Sequence, residues 1–491
     1  MAAIQVCESC RKRKRKCDKA KPSCSHCTRY DYHNAISIKS RLTRQRLRLK
    51  CTYLSWPYDR TGEKRSKSGS PSELSIVQED GLTRRSDRPS ASPKQYRDLD
   101  HEVTAELLNT IRCSGGAWDI SSTYFMNVHG WLPIIFKPRF FSRLATLNED
   151  TNPNFCLLIL AMRLVTQDAN ESIASRFSLY HIVKSLATLT ETSPSLDAVQ
   201  ARLLIAIFEM GRGLFPAANI SIGAVASMAM SIGLQDKIKE TLRDAVDWTY
   251  LEERKRAWWA IFIVDRYTGL RTKLGVFVAA EPSLDYYLPT FDGAWESQDF
   301  TDCHDFKVST PFHIRIGPFA RAAQASVLLG RALRNLYDPS SDESLNLSEY
   351  CSILRALRAL NEIIPQEEIE TCYLYCGSIG MVASALMILS NQNPYMDLSP
   401  GTSPDELSQS VSSPEEAASG AIRVAHEITD NKDTISIAAL CPFVPDSLSQ
   451  AAFVQLRLFQ DTRDERYWKN LSALEDSLNS FSVRWKAAGM Y

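Results

Sequence analysis

Six of the 13 cysteines lie within the first 51 residues: Cys7, Cys10, Cys17, Cys24, Cys27 and Cys51. Their order is C-x2-C-x6-C-x6-C-x2-C-x23-C. Thiolates bind zinc as a tetrahedron, and a C-x2-C turn brings two sulfurs onto one ion. Residues 1–30 hold almost no apolar side chains among which free cysteines could be buried, so a metal site is the expectation. The stretch between Cys10 and Cys17 is a pure basic hexamer, Arg11 to Lys16. Guanine presents O6 and N7 acceptors in the major groove, and Arg or Lys is the natural donor to them. As a run of charge, the hexamer also suits nuclear import.

The segments Cys7 to Asp18 (CESCRKRKRKCD) and Lys21 to Cys27 (KPSCSHC) resemble the fungal binuclear zinc cluster, Zn2Cys6. The resemblance implies two zinc ions, with Cys7 and Cys24 bridging both. Cys10 and Cys17 would complete one ion, and Cys27 and Cys51 the other. Pro22 matches the proline that turns the loop between the halves. The family places a short helix after the second cysteine and points its basic residues at a CGG triplet. The matching positions are Arg13 and Lys14 for base edges, with Arg11 and Lys16 nearer phosphate. A helix that short is unstable alone, and zinc binding supplies the missing stability.

The sequence departs from the family at one point. Between the fifth and sixth cysteines the family has six to eight residues; here there are 23. Removing Tyr30–Arg46 leaves C-x6-C, the family spacing. Those 17 residues correspond to 51 nucleotides, the size of a short fungal intron. Arg29-Tyr30 can be encoded across a GT donor, and Leu42-Thr43 can be read from a CTAAC-type branch sequence near an AG acceptor at Arg46. Residues 30–46 therefore read as a retained-intron insert. Lengthening the loop costs about 1.2 kcal/mol of closure entropy, whereas structural zinc binding contributes on the order of 10 kcal/mol. The site can therefore close with the insert present. Cys51 is then the most strained assignment, with His26 and His33 as competing donors.

Charge separates the chain in two. Residues 1–67 carry 19 Lys and Arg against 5 Asp and Glu, an excess of 14 positive charges. The whole chain has 57 of each kind, so the remainder holds the matching negative excess. A basic arm on an acidic body predicts a polyanionic partner for the arm. No basic n-region followed by an apolar stretch opens the chain, so secretion is not expected and the cysteines are read as reduced. No apolar run approaches 18 residues, so no membrane-spanning helix is expected. Residues 59–99, rich in Ser, Pro, Arg, Lys, Asp and Gly, read as a disordered linker between a cluster domain at 1–58 and a body at 100–491. No sustained heptad follows the cluster. A homodimer on paired CGG triplets is therefore compatible with the resemblance but has no signal of its own.

In the body, apolar residues recur at helical spacing. Leu196, Val199, Leu203, Ile207 and Met210 form one stripe; Leu471, Leu474, Leu478, Phe481 and Trp485 form another. Ala257 to Val264 is apolar all round and predicts a central buried helix. Gly211, Gly213, Gly233 and Pro282 read as helix punctuation. About a dozen helices are expected, with a Ser/Pro interruption near 393–417 whose Ser399, Ser403 and Ser413 each precede proline. Tyr124 to Ile135, Glu209 to Leu234, Arg256 to Arg266 and Pro442 to the Trp485 helix resemble the regulatory domain that follows zinc clusters in fungal transcription factors. The predicted fold is thus a small Zn2Cys6 knot plus a large all-α regulatory domain.

Catalytic signatures are absent: no Walker A loop, G-x-S-x-G elbow, H-E-x-x-H or G-x-G-x-x-G occurs. Asp265-Arg266 inside the apolar helix predicts a buried ion pair. Cys372 and Cys376, one helical turn apart, can both face a core. His129 reads as a core histidine, and Cys113, Cys156, Cys303, Cys351 and Cys441 read as ordinary buried residues. No catalytic residues are assigned. The expectation is a nuclear, non-enzymatic transcription factor for RNA polymerase II genes that reads CGG half-sites and meets the transcription machinery. The resemblance suggests a pathway regulator, for instance of a secondary-metabolite cluster. The alternative is a regulatory protein acting through protein partners, its DNA binding impaired by the insert.

Overall fold

The computed structural model describes residues 93–490, apart from 168–172, 237–247, 274, 299–304, 368–371, 393–412 and 432–434. By contacts the chain divides into residues 1–88 and 89–491, and the described residues belong to the second unit. Among them are fifteen α-helices and no strand, only one isolated antiparallel bridge between Tyr287 and Lys307.

The first helices are α1 (Pro93–Cys113), α2 (Ala117–Asn127), α3 (Lys137–Leu144), α4 (Pro153–Val165), α5 (Ile173–Leu189), α6 (Leu196–Gly211) and α7 (Phe215–Ser231). The helix α8 (Trp248–Thr272) is followed by an irregular stretch holding the short α9 (Asp292–Ser297). Then come α10 (Pro318–Tyr337), α11 (Glu343–Glu367), α12 (Cys372–Asn391), α13 (Pro414–Asp430), α14 (Pro445–Thr462) and α15 (Glu465–Arg484). α1 begins at Pro93, so its first turns occupy the end of the segment read as linker.

Local chemistry explains the boundaries. Proline at the first helical positions starts α4, α7, α10, α13 and α14, where its missing N–H costs nothing. Ser195 caps α6, its Oγ accepting from the Ala198 N–H at 3.2 Å. Ser413 caps α13 in the same way, so the helix starts inside the segment read as a Ser/Pro interruption. Gly233 adopts φ +68 just beyond α7, a left-handed position that favours glycine. Pro282 does not end a helix: α8 stops at Thr272, and Pro282 lies in the extended stretch beyond it.

α4 packs on α6 and α6 on α7, while α10 and α12 form the matching pair at the other end. α8 touches α6, α7 and α10, and so joins the two groups. This explains why Ala257 to Val264 is apolar on every side and buried throughout. α12 contains an 18-residue stretch, Leu374–Asn391, long and apolar enough to cross a membrane, contrary to the expectation of none. It is 83% buried against α10, α11, α13 and α14, which accounts for its composition as a core helix. The C-terminal turn closes back on α6: a Cβ added at Gly211 would lie 2.2 Å from Trp485 Cε3. Only glycine permits that approach.

Candidate nucleic-acid interface and the helical body

The residues that carry the predicted DNA chemistry lie outside the described residues. These are Cys7, Cys10, Cys17, Cys24, Cys27 and Cys51, with Arg11, Arg13, Lys14 and Lys16. Cys303 and the Ser399 and Ser403 sites lie outside them too. As a donor set the six cysteines suit zinc, a borderline-soft ion that prefers thiolate. Among the described residues, no group of three or more His, Cys, Asp or Glu side chains could hold a metal ion.

In the body, α8 presents a polar cluster beneath its apolar segment. Arg256, fully buried, donates from Nε to Glu252 Oε1 at 2.9 Å, from Nη1 to Asp292 Oδ1 at 2.5 Å and from Nη2 to the Thr290 carbonyl at 2.8 Å. Its guanidinium lies 4.3 Å from the centre of the Trp295 ring. Glu252 also accepts from the Thr290 N–H at 2.9 Å and pairs with Lys255 at 2.6 Å. Burial pushes the Glu252 carboxyl up, but Lys255, Arg256 and the Thr290 N–H outweigh it and hold it below its ordinary value. Next to it, Glu253 accepts from the Phe136 N–H and the Gln200 amide, both at 3.0 Å, and pairs with Arg139. One turn of α8 thereby fixes the chain at both 134–136 and 290–292. These partners escaped the sequence reading, because the charges preceding Ala257 look like an ordinary solvated turn.

Asp265 and Arg266 form the expected buried ion pair, with Nη1 donating to Oδ2 at 2.7 Å. The pair also clamps Ala279: its N–H donates to Asp265 at 3.0 Å and its carbonyl accepts from Arg266 at 2.7 Å. Arg266 is flanked by the Phe262 and Phe277 rings, 3.8 and 4.2 Å from their centres. Burial pushes Asp265 up and Arg266 down to about 10. With both groups spent on each other and on backbone, the pair is a structural clamp and has no acid–base work to do.

His129 is buried, and its Nε2 meets Glu296 Oε1 at 2.9 Å. Cys156 and Cys441 are buried as expected, and Cys351 is partly so. Cys113 is exposed: Ile111 takes the inward face at the end of α1, and two residues on is about 200° round the helix. Cys376 is buried, as expected, whereas the Cys372 side chain lies outside the described residues. Cys376 faces Cys441, sulfur to sulfur at 3.2 Å. Residues 65 positions apart, one on α12 and one in an irregular loop, offer no spacing from which to read that contact.

Comparison with known proteins places this constellation. The profile of the fungal Zn(2)-Cys(6) binuclear cluster domain matches residues 5–42, and that of the fungal specific transcription factor domain matches residues 122–366. The transcription factor BOA15 of Botryotinia fuckeliana is 32% identical over 139 residues, covering 27% of this chain and 76% of that protein. This chain belongs to the fungal Zn2Cys6 transcription factors. It is a zinc-binding, DNA-binding type of protein and not an enzyme. The tropolone cluster transcription factor tropK of Talaromyces stipitatus is 27% identical over 216 residues, 43% of this chain and 37% of that one. The azaphilone cluster-specific transcription factor azaR of Aspergillus niger is 23% identical over 291 residues, 55% of this chain and 58% of that one. This chain thus spans less than two thirds of those two relatives. No solved structure matches it.

The fungal specific transcription factor match ends in α11, yet α12 packs on the matched α10 and α11 and carries α13 and α14, on which α15 packs. The cluster match ends at residue 42, short of Cys51.

Proposed function

We propose that this chain is a nuclear, pathway-specific regulator of RNA polymerase II genes that reads CGG half-sites through its zinc-cluster basic segment. The observation that carries this is the cysteine spacing from Cys7 to Cys27 with the hexamer Arg11 to Lys16 inside it. Cys7, Cys10, Cys17, Cys24, Cys27 and Cys51 would hold two zinc ions. The zinc supplies rigidity, holding residues too few to form a core. Arg13 and Lys14 donate to guanine O6 and N7, while Arg11 and Lys16 neutralise phosphates and make binding salt-dependent. Residues 1–58 form the DNA-binding domain, 59–92 the linker, and the helical domain from Pro93 onward passes the signal to the transcription machinery. A gene cluster for a secondary metabolite is the target class, supported by the cluster-specific regulators among the relatives. An electrophoretic shift of the full chain on CGG and scrambled duplexes, repeated after zinc chelation, tests the proposal. Equal binding to both duplexes overturns it.

One observation favours a second reading. The 23 residues between Cys27 and Cys51 exceed the family spacing, and the cluster match stops before Cys51. A chain carrying the insert that holds one zinc or none acts through protein partners instead. Sequencing cDNA across codons 30–46 shows which form is made.

A further inference from the structure

Cys376 and Cys441 bring their sulfurs to 3.2 Å in a buried setting. A disulfide needs about 2.05 Å, so roughly one ångström of approach closes the bond. Cys376 is held by α12, whereas Cys441 sits in the irregular loop between the 3-10 turn Ile437–Ala439 and α14. The two thiols are not equivalent. Cys441 lines a small cleft with Gly130, Trp131, Ser378 and Phe443; Cys376 does not. That cleft has room for about one water-sized molecule, some 10 Å³.

We propose that Cys376 and Cys441 form a dithiol that small hydroperoxides oxidise to a disulfide, with Cys441 as the attacking thiol and Cys376 as the resolving one. The Cys441 sulfur attacks one peroxide oxygen; an S–O bond forms, the O–O bond breaks, and the departing hydroxide takes the Cys441 proton as water. The Cys376 sulfur then attacks the sulfenic sulfur. The S–S bond forms, the S–O bond breaks, and the departing hydroxide takes the Cys376 proton as a second water. The two thiols lose two electrons and hydrogen peroxide gains them. A small dithiol reverses the change. Closure ties the 440–444 loop to α12. Through Leu440, whose carbonyl accepts from Trp485 Nε1 at 2.9 Å, and through Phe443 against Trp131, that loop braces the far end of the core.

The test uses the full chain, treated with hydrogen peroxide or with oxidised glutathione, then alkylated, digested and mapped by mass. The expected result is a Cys376–Cys441 linked peptide after peroxide, but not after the bulkier disulfide in the same time. The thermal unfolding temperature of the body should rise, and the rise should disappear on reduction. Cys376→Ser should leave Cys441 as a sulfenic acid, which dimedone traps once the peroxide is removed and the chain is unfolded, and Cys441→Ser should leave Cys376 unreacted. Zinc release, followed separately, reports oxidation of the N-terminal cysteines and keeps the two effects apart. Both residues recovered as free thiols at peroxide levels that oxidise exposed Cys113 would overturn the proposal. So would dimedone labelling of Cys376 in the Cys441→Ser chain at the rate seen for Cys441.

Discussion

Asp446, in the first turn of α14, accepts a hydrogen bond from Arg271 Nη1 at 2.8 Å, across 175 residues of sequence. Its other oxygen accepts from Ser384 Oγ on α12 at 3.0 Å. One carboxylate thus links the end of α8, the middle of α12 and the start of α14. It lies beyond the family match and ties the matched α8 to the helices α12 and α14 that follow the match.

Removing it leaves a buried serine hydroxyl and an arginine without its acceptor. Asp446→Ala should therefore cost about 2–3 kcal/mol, the range for hydrogen bonds to charged groups in a largely buried setting. Arg271 keeps some water contact, which holds the cost below that of a fully buried pair. Urea unfolding measures it, with Asp446→Asn as the variant that keeps the Ser384 bond. A loss under about 0.5 kcal/mol would contradict the role given to this residue.

At Gly211 the prediction is steric. The missing side chain makes room for the Trp485 ring, so Gly211→Ala should destabilise by about 1–3 kcal/mol through overpacking. Trp485→Ala alone opens a cavity, but combined with Gly211→Ala it should cost less than the sum of the two. A double-mutant cycle reads this directly, and strict additivity would show that the two residues do not touch.

Glu252 gives the pH dependence. Its folded carboxyl lies below the ordinary 4.5, so the unfolded chain takes up the proton first as pH falls. Its contribution to stability is complete above about pH 4.5 and is lost as pH falls through the folded value. Glu252→Gln should lower stability at neutral pH and flatten the fall below that point. An unchanged slope on the acid side would mean the carboxylate is not held as described.

For the DNA-reading segment, Lys14→Ala should weaken binding to CGG duplexes by roughly 1–3 kcal/mol and relax the preference for CGG. Lys16→Ala should weaken all sequences alike and reduce the salt slope by about one. Fluorescence anisotropy at several salt concentrations separates the two patterns. An intact CGG preference in the Lys14→Ala chain would remove that residue from base reading.

Much of the body was legible because its helices are simple. The stripes at Leu196 to Met210 and Leu471 to Phe481 step by three and four and fold as α6 and α15. The all-apolar run after Arg256 marked the buried α8 for the same reason. The membrane-length stretch in α12 went unread because Gly377, Ser378, Gly380, Ser384 and Ser390 break its apolar run, though small residues hardly lower its suitability for a core. Three-dimensional partners were illegible on physical grounds. Arg256 to Asp292, Arg271 to Asp446 and Cys376 to Cys441 join separate elements, and no local period encodes such pairs. The proposed zinc cluster is the opposite case: five of its six cysteines stand at short spacing, and sequence alone carries the claim.

That claim meets its most direct test in one paired measurement. Zinc per chain and affinity for a CGG duplex would be determined for the full chain and for the same chain lacking Tyr30–Arg46. Two zinc ions and a clear CGG preference are predicted for the shortened chain. If the full chain matches it, Cys51 is a ligand across the long loop. Fewer than two zinc ions and no CGG preference in the shortened chain would contradict the assignment of these six cysteines and this basic segment.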